Sequence, residues 1–212
     1  MTNLARKAEV ESVIGRPITT DWVKAKMLGR RQDGAPLLDR GAPVPRSVHP
    51  DNDFDFASDD VEGLRCPVGA HVRRANPRAS LGHDDADSQT IVNRHRILRR
   101  GRPYRYTAPS GKDEQGLMFV AVCGDLERQF EFVQQSWLNV PGFEDLRGEP
   151  DPIVGSTEGV NPARGFTIPT AFGPVCFSGL KPFVEIKGGG YFFLPSRSAL
   201  LFLADAIALR SP

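Results

Sequence analysis

Apolar and polar positions change period several times along the chain, and the changes fall where proline and glycine gather. Thr20-Asp21 followed by Trp22, Val23, Ala25, Met27 and Leu28 predicts a short helix, capped by a side-chain oxygen and closed at Gly29 in the left-handed conformation. From Gly34 to Gly69 no period survives. Pro36, Pro43, Pro45, Pro50 and the acidic run Asp51 to Asp60 predict an irregular segment. Gly116-Leu-Met-Phe-Val-Ala-Val-Cys123 is a short apolar run that predicts a buried strand. After it, Asp125 predicts a cap for a helix whose apolar positions are Leu126, Phe130, Val133 and Trp137. Phe183 to Lys187, three glycines and Tyr191 to Leu194 predict a hairpin, because Gly188 to Gly190 permit positive φ. Ser196 opens a last helix with Leu200, Leu203, Ala204 and Ile207 on one side.

Strand, helix, hairpin and helix after an irregular first third predict an α+β fold, an antiparallel sheet with helices on one face. The divisions expected are an N-terminal helical segment over 1–33, a Pro/Asp-rich loop over 34–65 and the folded domain over 66–212. At 212 residues the chain is long enough to build a core without disulfides. A net charge of +1 gives no global nucleic-acid or polybasic membrane signature. The stretch Met1 to Gly15 lacks the apolar run of a secretory signal, and the run from Ala199 to Leu209 is too short to span a bilayer. Cys66, Cys123 and Cys176 form no CxxC pair, so a reducing, cytoplasmic location is expected.

Two segments carry candidate chemistry. In Cys66-Pro-Val-Gly-Ala-His-Val-Arg-Arg-Ala-Asn-Pro-Arg78, small residues before His71 allow close approach of another group, and Arg73, Arg74 and Arg78 follow it. An imidazole there is either a metal ligand or a hydrogen-bonded structural histidine. In Arg94-His-Arg-Ile-Leu-Arg-Arg-Gly-Arg-Pro103, strand alternation puts Arg94, Arg96 and Leu98 on one face and His95, Ile97 and Arg99 on the other. An arginine beside Ile97 would be partly buried and would call for an anion or a developing charge; the plainer reading is a solvated edge strand or a phosphate-contact surface.

The chain resembles the C-terminal half of dye-decolorising peroxidases. The motifs run in order from Met27 to Leu37, Asn52-Asp-Phe-Asp-Phe56, Cys66 to Arg78, and Arg94 to Tyr104. They continue through Gly116 to Cys123, Asp125 to Phe132, Pro150-Asp-Pro-Ile-Val-Gly155 and Gly188 to Ser196. The resemblance implies a ferredoxin-like unit, one half of a dimeric α+β barrel arrangement, that binds haem b. His71 would then be the proximal iron ligand, and Arg99 the distal arginine that helps bind peroxide and stabilises charge during O–O cleavage. Leu117 and Phe119 would line the distal wall. Asp151 is the chosen carboxylate for the other imidazole N–H, ahead of Asp125, a plainer helix cap, and Glu131. Arg73, Arg74 and Arg78 are candidate propionate partners.

The family's Gly-x-x-Asp-Gly signature, whose Asp handles the peroxide proton, belongs to an N-terminal half that this sequence does not contain. Gly29-Arg-Arg-Gln-Asp-Gly34 is one residue too long to replace it, so Asp33 is expected to be a turn residue. The implied function is a haem-dependent peroxidase, or its haem-bearing subunit, reducing hydrogen peroxide with an organic electron donor. The alternative is a catalytically degenerate module that serves as a structural or partner-binding protein. A lone unit would leave apolar surface uncovered, which implies a homo-oligomer or a complex with a separate N-terminal half. Trp22, Trp137 and Tyr104 are expected to be packing residues.

Overall fold

The computed structural model describes residues 17–38, 54–81, 84–156 and 165–208, with positions 11, 12, 15 and 52 besides. The expectations for Met1 to Gly15 and for Pro43, Pro45 and Pro50 therefore fall almost wholly outside the described residues, as does the Ile207 side chain.

The first helix, α1, spans Thr20–Leu28. Its cap is Thr19, one position earlier than expected, whose Oγ1 accepts the Trp22 N–H at 3.1 Å. Gly29 closes it at φ 89, and its N–H donates to the Ala25 carbonyl at 2.7 Å. A Cβ at Gly29 would also lie 2.1 Å from Val72, so close approach requires glycine as firmly as the turn does. Ala35 N–H donates to Asp33 Oδ1 at 3.0 Å, which makes Asp33 a turn residue as expected.

The segment read as irregular contains a helical turn, α2, over Phe56–Asp59, capped by Asp55 Oδ1 on the Ala57 N–H. That turn carries Phe56 into the interior, where Phe54 and Phe56 share a core with Leu38, Cys66 and Ala70. The expected division at 65/66 therefore does not separate packing units. The next helices are α3, His71–Ala75, and α4, Asp85–Arg94, the latter capped by Asp84 on the Asp87 N–H.

Because α4 runs to Arg94, the arginine cluster is not one strand, and the alternation read from Arg94 to Arg99 is corrected accordingly. Strand β1 begins at Leu98 and ends at Thr107; β2 spans Asp113–Val122. They form an antiparallel hairpin from Leu98↔Val122 to Thr107↔Asp113, closed by Gly111 at φ 79. The apolar run in β2 is a strand, but an exposed one and not a buried one: Leu117, Met118, Phe119, Val120 and Val122 all face solvent, although the Phe130 ring lies 6.0 Å from that of Phe119.

The helix expected after Asp125 forms, with the Arg128 N–H on Asp125 Oδ1 at 3.0 Å. It is wound as two π-helical stretches, Glu127–Glu131 and Val133–Leu138, in which the Glu131 N–H reaches the Leu126 carbonyl and the Asn139 N–H the Gln134 carbonyl. Val133, Trp137, Leu138, Phe143 and Val92 make a second core. Strands β3, Phe166–Ile168, and β4, Val175–Phe177, form a small second hairpin, and Phe166 and Ile168 pack with Met27 in a third core.

The hairpin expected over 183–194 is not formed; those residues make no ladder and stay exposed. The segment touches the helix after Asp125 through Tyr191, whose hydroxyl donates to Glu131 and whose ring meets Phe130, but an isolated pair of strands gains too little from such contacts to hold a ladder. The last helix, α5, spans Arg197–Ala208, with the Ala199 N–H on Ser196 Oγ, and its Leu200 and Leu203 are exposed.

The fold is α+β, with antiparallel strands and helices in an arrangement consistent with a ferredoxin-like unit. No helix among the described residues is long and apolar enough to cross a membrane. The short helix α3 sits where the cores meet, with Val72 against the first and Ala75 against the second.

Candidate functional site

His71 is the first residue of α3, and Ala70 before it supplies no side-chain cap. Its Nδ1 lies 2.9 Å from Asp151 Oδ2, across 80 positions of sequence. Asp151 is fully buried while the imidazole keeps 25% of its side-chain surface. The other carboxylate oxygen, Oδ1, accepts the Ile153 and Val154 N–H groups, each at 2.8 Å. Burial alone would push this carboxyl up, but the His71 hydrogen bond and charge, with the two backbone N–H groups, outweigh it and hold Asp151 below the usual carboxylate range. An ionised carboxylate only accepts, so Nδ1 carries the proton and the Nε2 lone pair is left for another ligand.

The Pro150-Asp-Pro-Ile-Val-Gly155 stretch explains the rigidity of this carboxylate. Pro150 and Pro152 are buried on either side of it, and the Gly155 N–H returns to the Asp151 carbonyl at 3.1 Å. A Cβ at Gly155 would sit 2.5 Å from that carbonyl oxygen, so only glycine closes the turn.

The arginines after His71 are interior, which the sequence did not suggest. Arg73 Nη1 donates to the Asp60 carbonyl at 2.8 Å, Nη2 to the Val61 carbonyl at 3.2 Å, and the guanidinium lies 4.9 Å from the Phe56 ring centre. Its Nη2 also stands 3.6 Å from Glu144 Oε2, whose carboxyl burial pushes up despite the Ser80 hydroxyl and Arg73. Arg74 donates to the carbonyls of Glu149, Leu138 and Val140 at 3.0, 3.3 and 2.6 Å. Burial pulls the Arg74 guanidinium down to about 10 against the pull of Asp151, Glu149 and Glu144, so it stays charged at neutral pH. Arg78 donates to the Asn52 and Phe54 carbonyls at 3.0 and 2.7 Å and lies 3.9 Å over the Phe54 ring. Arg73, expected to face the cofactor, has its guanidinium turned onto interior carbonyls. Arg78 likewise spends donors on backbone.

The hairpin arranges the other expected residues. Arg99 pairs with Ala121, Gly101 with Phe119 and Pro103 with Leu117, so Arg99, Phe119 and Leu117 share one face. Arg99 was expected to be partly buried but is exposed: on that face the Phe130 ring approaches Phe119 at 6.0 Å and leaves the guanidinium to solvent. Its charge acts on Arg30, whose guanidinium is lowered first by burial and then by Arg99. Asp125 and Glu131 are not at His71: Asp125 caps its helix, and Glu131 accepts the Tyr191 hydroxyl at 2.8 Å.

Among the described residues no three His, Cys, Asp or Glu side chains converge. A metal held in a prosthetic group would ask the protein for a single donor, and with Nδ1 turned to Asp151 the His71 Nε2 would be the atom to supply it. Burial of Lys26, whose Nζ ties α1 to the Leu64 and Arg65 carbonyls at 2.7 and 2.6 Å, also escaped the sequence reading.

The family described as "Dyp-type peroxidase, C-terminal" matches residues 22–149, more than half of the chain. The chain belongs to the Dyp-type peroxidase family. It is 36% identical over 197 residues to the multifunctional dye peroxidase DyP2 of Amycolatopsis sp., covering 83% of this chain and 40% of that protein. It is 31% identical over 198 residues to a dye-decolorizing peroxidase of Exidia glandulosa, covering 85% of this chain and 37% of that one. The structure superposes on a dye-decolorizing peroxidase solved in complex with 2,6-dimethoxyphenol, with a TM-score of 0.66 and 28% identity, over 92% of this chain and 47% of that one. This family member thus spans less than half the length of these relatives.

Proposed function

We propose that the chain is the haem-bearing part of a peroxidase, with haem b held by His71, that reduces hydrogen peroxide at the expense of an organic donor. The carrying observation is the 2.9 Å His71–Asp151 contact. A buried carboxylate that accepts the Nδ1–H hydrogen bond fixes the tautomer, orients the ring and makes Nε2 a stronger electron donor to iron. Haem iron, when bound, supplies the redox chemistry of peroxide reduction. Arg99 supplies a fixed positive charge where peroxide oxygens become negative, and Leu117 and Phe119, on its face of the hairpin, supply an apolar wall that excludes water. The relatives' peroxidase names and the 2,6-dimethoxyphenol held by one of them support peroxide and a phenol-like reductant as the substrates.

The uncovered hairpin supports association with an α+β partner, either a second copy or a chain matching the remaining length of the relatives. It is also the one observation that favours the second reading, a partner-binding module without turnover. The unpaired Cys66, Cys123 and Cys176 support a reducing, cytoplasmic location.

Titration of the purified chain with haemin tests the proposal. A Soret band is expected, His71→Ala is expected to abolish it, and Arg99→Leu should keep it while slowing peroxide consumption by roughly 10²–10³-fold. A chain that stays colourless with haemin, alone or with its partner, leaves only the second reading.

A further inference from the structure

Arg74 lies three positions along α3 from His71 and is fully buried. Its partners are all in the segment that leads into Asp151. One Nη holds the Glu149 carbonyl and the other holds those of Leu138 and Val140, so the guanidinium bridges both ends of the loop between them. The Phe143 ring, in mid-loop, has its centre 4.8 Å from the guanidinium carbon. The Leu138 carbonyl also accepts the Asp151 N–H at 2.7 Å, so the same oxygen is shared between Arg74 and the backbone of the carboxylate residue. The loop needs such a clamp. Glu144 and Asp145 are held at φ 43 and 65 without being glycine, which a free loop would relax. A five-residue helix cannot hold itself in place either.

We propose that Arg74 is the positioning residue of the His71–Asp151 pair: it pins the 138–149 loop to the helix that carries His71 and so sets the Nδ1–H···Oδ2 bond. In functional terms this deepens the reading of His71 as the haem ligand and rests on it, although the clamp itself is a property of the chain alone. The planar five-donor fork reaches three carbonyls at once; a lysine ammonium, with one nitrogen, does not. Arg73 is the internal control. It is equally buried on the same helix, but its carbonyl partners are Asp60, Val61 and Cys66; it meets the 138–149 loop only at the Glu144 side chain, 3.6 Å away, and holds none of the carbonyls at the loop's two ends.

The test uses the full chain without haemin, labelled with 15N at histidine and arginine. In the native chain the His71 Nδ1 proton is expected to be observed in a single tautomer and in slow exchange. Arg74→Lys should accelerate its exchange at least tenfold and mix the tautomers while circular dichroism is retained; Arg73→Lys should leave the tautomer intact. An unchanged imidazole in Arg74→Lys, or equal scrambling in both variants, overturns the proposal. Should Arg74→Lys fail to fold, the native chain decides. With rising urea below the unfolding transition, the Arg74 guanidinium protons and the His71 Nδ1 proton are expected to lose protection together. An imidazole proton that exchanges while the Arg74 protons remain protected overturns the assignment. Haemin titration is scored separately, so a scrambled tautomer in Arg74→Lys beside a native chain without a Soret band sinks the haem reading and leaves the clamp standing.

Discussion

His71 and Arg99 stand in two regions built on different terms. Around α3 the chain is closed: Phe56, Cys66, Ala70, Phe166, Asp151 and Arg74 are buried, and the guanidinium groups are turned onto backbone carbonyls. Along β1, β2 and α5 it is open, with apolar residues exposed on both faces of the hairpin and along the helix. Packing needs explain both. A short helix and several loops reach a stable arrangement only by converging on one centre, and buried arginines supply the donors that those loops' carbonyls require. A two-stranded ribbon has two faces and cannot cover either one itself. The closed region therefore fixes the His71 imidazole by its own packing, whereas the open one leaves Arg99, Leu117 and Phe119 exposed.

The largest effect separates the regions directly. Phe56 is 1% exposed, packs edge-on to Phe54 at 5.5 Å and lies beneath Arg73, so Phe56→Ala is expected to cost about 3–5 kcal/mol in urea unfolding. Met118, on the hairpin, is 56% exposed, and Met118→Ala should cost no more than about 0.5 kcal/mol. Comparable losses for the two would show that the hairpin is covered in solution, and light scattering on the same samples would say whether a second copy provides the cover.

What could be read from the sequence divides along the same line. Cap and turn chemistry is local, so α1 with its Gly29 closure, the Asp33 turn and the Asp125 cap were legible. The proximity of His71 and Asp151 spans 80 positions, and only the family resemblance suggested it. Arginine pattern suggests exposure, and nothing in the spacing of Arg73 and Arg74 says that carbonyls from 60–66 and 138–149 will enclose them. The spacing of Leu126, Phe130, Val133 and Trp137 fits an α-helix and did not reveal the π-helical winding. Alternation at 183–194 describes a strand but not its partner, and the ladder expected there is missing. The Asp84 cap with Val92 on the inner face was a usable signal for α4 that the reading passed over.

A smaller effect sits at the edge of the closed region. Burial raises the Glu144 carboxyl above its ordinary value, against the pull of the Ser80 hydroxyl and Arg73. The native state therefore holds this proton more tightly than the unfolded chain does. Its contribution to stability is fully present below the unfolded carboxylate value and is lost as pH rises through the higher native value. Glu144→Gln, which keeps the shape and cannot ionise, is expected to melt progressively higher than the native chain as pH is raised from 4 to 8. A constant difference in Tm across that range would remove Glu144 from the account.

The smallest effect is one of reactivity and leaves stability untouched. Cys66 is fully buried in the first core, and burial pushes its thiol up to about 12, so almost no thiolate forms at neutral pH and no reagent reaches it. Cys123 follows the end of β2 and is only half-buried; burial raises it as well, but access is open. Cys176, in β4, is exposed. Timed alkylation read by mass spectrometry should therefore label Cys176 first, Cys123 next and Cys66 only as the chain unfolds. Covering the hairpin with its partner should slow Cys123 without changing Cys66, because only the open region gains a neighbour. If Cys66 were labelled in the native chain as fast as Cys123, the closed region would have to open on its own, and the distinction between a self-sufficient histidine site and a dependent arginine face would fail with it.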